Sequence, residues 1–211
     1  MILPKSLLAI LVLVAAGPIS AQAADNAPPP KGLRVLSTGN SFHYYVPSML
    51  KAMALRAGIQ GHVLVDYQGI GGSRVIQHWD VPDDQNKAKK ALLTGNVDAM
   101  TMNPIFLPDE GIDKFVKLGL DKNPNIRFSI QQSWLIRDQL GAPDTEVLYA
   151  NRKYQKVDRN TRTVEDIRRE HATVFAALES HVRELNKQYG RDIVFIAPCA
   201  QAAILLREKI I

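Results

Sequence analysis

The chain has 211 residues, 46% apolar and 22% charged, which is enough apolar content for one sizeable core. Its net charge of +5 comes from Lys and Arg interleaved with Asp and Glu rather than gathered in a patch, which argues against nucleic acid as a partner. A single cysteine, Cys199, excludes an internal disulfide and reads as a small buried hydrophobe, and with no clustered His or Cys and no phosphate loop, no metal or organic cofactor is expected.

In chain order, Lys5, an apolar run over 7–17 and then Ala21-Gln22-Ala23 read as a secretory signal covering 1–23, so the protein is expected to be periplasmic or secreted. The run is shorter than the roughly 20 residues of a spanning helix, and no stable membrane span is expected after cleavage. Residues 24–32, with Pro28-Pro29-Pro30, read as an extended tether, and 33–211 as one domain. Strands are predicted over 33–37, 62–67, 97–102, 126–131 and 192–197, where β-branched and apolar residues concentrate. Helices are predicted over 48–57, 84–93, 112–120, 163–189 and 201–211. The first has apolar positions at Met49, Leu50, Met53, Ala54 and Ala57. The fourth has them at Val164, Ile167, His171, Val174, Phe175, Leu178, Val182 and Leu185. The basic stretch from Arg152 to Arg162 reads as a solvated loop.

Alternation of this kind predicts an α/β fold, a five-stranded parallel sheet covered by helices on both faces, in the order 2-1-3-4-5. Ligands of such sheets sit at the carboxyl ends of the strands. There the first strand breaks at Thr38-Gly39-Asn40 and presents Ser41 just before a helical pattern. A serine at that junction is exposed, with its own N–H among the free donors of the first helical turn, which suits a nucleophile; a plain helix-cap serine is the other reading. The second strand runs into Gln68-Gly69-Ile70-Gly71-Gly72-Ser73, whose glycines let backbone N–H groups approach a ligand, unless it is only a flexible connection. The third strand ends in Thr101-Met102-Asn103-Pro104, also an ordinary turn signal.

Gly39-Asn40-Ser41-Phe42, followed by a helix ending in Ala57-Gly58, resembles the first block of the SGNH (GDSL-like) hydrolases in their GNSF variant. The glycine loop resembles the second block. The resemblance implies a flavodoxin-like three-layer α/β/α sandwich and serine-based acyl transfer on esters or acetyl groups, with a small-molecule or carbohydrate ester as substrate. Carried over, Ser41 is the nucleophile, Gly72 the oxyanion glycine and Asn103 the oxyanion amide, although the family's Gly before and Asp after that Asn are missing here. Trp134, after Gln131-Gln132-Ser133, resembles a segment near the fourth strand of GNSF-type members, and as an aromatic also fits a core or pocket wall.

The family's base comes from a late Asp-x-x-His, and none of His43, His62, His78, His171 or His181 has Asp three residues earlier. That block looks absent, since the sequence stops one helix after the fifth strand. His78, beside the glycine loop, is the best internal substitute for the base, against the reading of a packed histidine. The expectation is therefore an exported SGNH-type serine esterase or acetylhydrolase with weak or no activity in this chain. The alternative is a non-catalytic glycan- or acyl-binding protein on the same fold.

Overall fold

The computed structural model describes residues 29–105, 107–133 and 163–210. The signal segment, most of the tether, Trp134 and the basic stretch lie outside the described residues. Five strands form one sheet: β1 (Arg34–Gly39), β2 (Val63–Gly69), β3 (Ala99–Met102), β4 (Arg127–Gln131) and β5 (Val194–Ala197). All neighbours pair in parallel, in the order β2-β1-β3-β4-β5. The predicted three-layer α/β architecture and its strand order are the ones observed.

Among the described residues, six helices accompany the sheet: α1 (Val46–Arg56), α2 (Val75–Trp79), α3 (Lys87–Leu93), α4 (Glu110–Lys122), α5 (Val164–Gln188) and α6 (Cys199–Ile210). Helix α2 is an addition to the prediction, because five residues are too few to display a helical period. Among the described residues, no helix is long and apolar enough to cross a membrane.

The two faces of the sheet differ in chemistry, and strand alternation is the cause. Leu36, Met100, Phe128 and Val194 lie side by side in register across four strands. All are buried, and they form the main core with Leu92 of α3, Ile112, Phe115 and Val116 of α4, and Leu178, Val182 and Leu185 of α5. The next row, Ser37, Thr101 and Ser129, points to the opposite face and is hydroxylic. Gly119 lets α4 settle on the sheet, since a Cβ there would stand 2.7 Å from the Phe128 ring.

Two packing expectations need correction. The apolar stripe of α1 is largely uncovered by the described residues: Met49 is 52% and Met53 60% exposed, and only Pro47 and Ala54 are buried. The helix lies chiefly along β2, the edge strand of the sheet, so little of the sheet backs it. Cys199 is half-buried at the first position of α6 rather than enclosed, though burial still pushes its thiol pKa up.

Candidate active site

At the carboxyl edge of the sheet, β1 and β2 end together, with Gly39 paired to Gly69. Gly39 is required by what folds back over it: a Cβ there would lie 2.5 Å from the Cβ of His43. The chain leaves β1 through Asn40 and turns over residues 41–45, with His43 N–H donating to Asn40 O at 2.9 Å. Helix α1 opens only at Val46. The expectation that Ser41 N–H belongs to the first helical turn is therefore overturned, as is the reading of Ser41 as a plain cap; Tyr45 holds the cap position. The turn is needed because His43 must reach inward before a helix can begin.

Ser41 is exposed in this turn. Its neighbour Asn40 is fully buried and ties three loops together. Asn40 Oδ1 accepts from Phe42 N–H at 3.0 Å, which shapes the turn around Ser41. Asn40 Nδ2 donates to Ser73 O at 3.1 Å and to Asn103 O at 3.4 Å. One side chain thus joins the turn after β1, the glycine loop after β2 and the loop after β3. From the residue pattern, Asn40 is only part of the break after β1; its signal was a short amide side chain immediately after the strand's last residue.

Gly72 lies exposed in the turn after β2 with φ +63, the left-handed region that favours glycine. Behind it the loop is held firmly. Asp109, fully buried, accepts from Val75 N–H at 2.6 Å and Ile76 N–H at 2.9 Å, pinning the start of α2. It also accepts from Gly111 N–H at 3.1 Å and so caps α4. Its carboxyl pKa is raised, since burial outweighs the backbone donors and Arg74.

Asn103 is buried, and its Nδ2 donates to Gln131 O at 3.1 Å and Ser133 Oγ at 2.8 Å. Among the described residues its Oδ1 has no hydrogen-bond partner. Because Gln131 O demands a donor, the amide is oriented with both N–H groups engaged on the β4 side.

The histidines flanking the site face inward. His43 is buried with Nδ1 2.5 Å from Gln131 Oε1, and Nε2 lies 3.0 Å from Ser37 Oγ and 2.9 Å from Thr101 Oγ1. Gln131 Nε2 donates to Phe42 O at 3.1 Å, so its Oε1 must accept from His43 Nδ1–H. This leaves Nε2 as the acceptor of a hydroxyl proton. Burial lowers the His43 pKa, and the ring is the neutral tautomer this network needs. His78 is fully buried in α2, with Nε2 2.7 Å from Ser73 Oγ. Burial, with a smaller contribution from His43, pushes its pKa down to about 4. Its hydrogen-bonded serine is Ser73, not Ser41, so the packed reading of His78 is the one the structure carries.

Together these residues make an open rim: an exposed hydroxyl on one loop, a left-handed glycine on the next, and a buried amide framework below. No protein-family model matches the chain, and no curated protein matches it. Among solved structures the chain is similar to a Clostridium thermocellum family 3 carbohydrate esterase, at 12% identity and a TM-score of 0.47, over 81% of this chain and 80% of that one.

Proposed function

We propose that the protein is an exported serine hydrolase of the SGNH type that cleaves an ester or acetyl group, with Ser41 as the nucleophile. The supporting observation is the Asn40 side chain, whose three hydrogen bonds tie the Ser41 turn to the Gly72 and Asn103 loops at the carboxyl edge of the sheet. In this reading Ser41 Oγ attacks the acyl carbon, and backbone N–H groups of the Ser41 and Gly72 loops stabilise the oxyanion that forms. Asn103 contributes a third donor when the N–H now bonded to Ser133 Oγ turns to the substrate. Collapse of that intermediate breaks the ester C–O bond and releases the alcohol, which takes up the serine's proton through solvent, and water then hydrolyses the acyl-serine to free the acid and restore Ser41. Among the described residues no histidine is hydrogen-bonded to Ser41, and a serine in that state reacts slowly, so turnover is expected to fall several orders of magnitude below that of a complete triad.

The inward orientation of His43 and His78 favours a second reading, a glycan- or acyl-binding protein that uses the same rim without chemistry. Hydrolysis of 4-nitrophenyl acetate by the wild type and by Ser41→Ala separates the two. The hydrolase reading expects a rate above the buffer blank that disappears in Ser41→Ala, and equal rates in both proteins would remove it. Because Ser41 is exposed, the substitution is expected to change stability by no more than about 0.5 kcal/mol.

A further inference from the structure

Three residues after Ser41, Tyr44 reaches across to the glycine loop. Its ring meets that of Tyr67 edge-on, with centroids 5.9 Å apart and planes at 89°. Tyr67 is itself anchored, its hydroxyl 3.4 Å from Gly39 O, and burial raises its pKa to about 12, so it stays a neutral phenol donor. Gly69 makes room for both rings: a Cβ there would stand 2.9 Å from Tyr44 Cε1 and 2.7 Å from Tyr67 Cε1. Farther along, a Cβ on Gly71 would meet the Tyr44 hydroxyl at 3.8 Å, so the ring ends beside the residue that precedes Gly72. Yet Tyr44 remains 48% exposed. Among the described residues, Tyr44 is thus a ring held by a second ring and by bare glycine backbone beside the Gly72 turn, and half open to water.

We infer that Tyr44, backed by Tyr67, is a stacking platform for a sugar ring, placed so that a substituent on that sugar falls between Ser41 and Gly72. The inference rests on the proposed reading of this rim as the site and names the substrate class it takes. Chemistry selects the sugar over a long acyl chain. An alkyl chain laid on this ring would keep its outer side in water, because Tyr44 stands half exposed and Gly71 and Gly72 at its hydroxyl end carry no side chain to cover it. A pyranose has one face of C–H groups, whose partial positive charge suits the negative face of an aromatic ring, and a rim of hydroxyls that prefers water. An open platform flanked by backbone amides satisfies both at once.

Binding can be read without catalysis in the Ser41→Ala protein, using an O-acetyl methyl glucopyranoside as the probe and saturation-transfer NMR as the readout. The expected result is transfer concentrated on the C–H protons of one sugar face. It is retained within about twofold in Ser41→Ala/Tyr44→Phe, which keeps the ring, and weakened roughly tenfold in Ser41→Ala/Tyr44→Leu, which keeps bulk but loses the π face; tenfold corresponds to about 1.4 kcal/mol. Circular dichroism of each variant confirms that the fold is kept. Equal binding by the Phe and Leu variants, or no transfer to the sugar in Ser41→Ala, overturns the platform. Acetate release from the same probe by the wild type tests the hydrolase reading separately: Tyr44-dependent binding without release keeps the platform and removes the enzyme.

Discussion

Acidification should expose the cost of keeping His78 neutral. The ring is fully buried beside Ser73, with a folded pKa of about 4 against an ordinary value of 6.5. A histidine whose folded pKa is depressed binds its proton more readily in the unfolded chain, so stability is full above the unfolded pKa and is lost as pH falls toward the folded one. Integrating the linkage between these two values gives a loss of about 2 kcal/mol between pH 8 and pH 5 from this residue alone. His43, also depressed by burial, adds loss of the same sign. Asp98 and Asp166, each held at about 2 by hydrogen-bonding partners, lose their contributions only as pH falls below the ordinary carboxylate value of 3.8. Asp109, whose carboxyl pKa is raised by burial, contributes with the opposite sign at the acid end, so the difference between the wild type and a His78 variant in urea unfolding from pH 8 to pH 4.5 is what isolates His78. The His78→Gln protein starts from lower stability at pH 8, and its curve should be flatter than the wild type's by about 2 kcal/mol over the three units down to pH 5. Parallel curves for wild type and His78→Gln would refute the buried neutral histidine.

Replacing Asn40 by Ala removes the tie among three loops and leaves Ser73 O and Asn103 O without this donor; a loss of about 2–4 kcal/mol in urea unfolding is expected, with Ser41-dependent hydrolysis abolished. Gly111→Ala would put a Cβ within 2.5 Å of Val75 C and 2.6 Å of Ile76 Cα, backbone atoms at the start of α2 that cannot swing aside. Its melting temperature should fall by roughly 3–10 °C, and its hydrolysis rate should fall with it because the Gly72 loop is displaced. Phe128→Ala, at the centre of the apolar row, should cost about 3–5 kcal/mol in urea unfolding without changing the pH dependence assigned to His78.

Strand and helix order was legible in the sequence because each element repeats its apolar residues at its own period. That is why the parallel sheet, its order and the edge carrying Ser41 and Gly72 follow from residue pattern alone. The same pattern misjudged α1, since Met49 and Met53 recur at helical spacing whether or not an apolar partner lies beneath them. Burial is decided by what the helix meets, and here that is chiefly the edge strand β2. Likewise, the sequence by itself placed His43 and His78 close to the candidate site, but closeness along the chain carries no direction. Only the tertiary structure turned both rings inward, His43 onto Gln131, Ser37 and Thr101 and His78 onto Ser73, because their partners come from residues that the fold alone brings within hydrogen-bond reach. Asn40 and Asp109 belong to the same class: short polar side chains whose role as clamps depends on backbone groups 33 to 63 residues away.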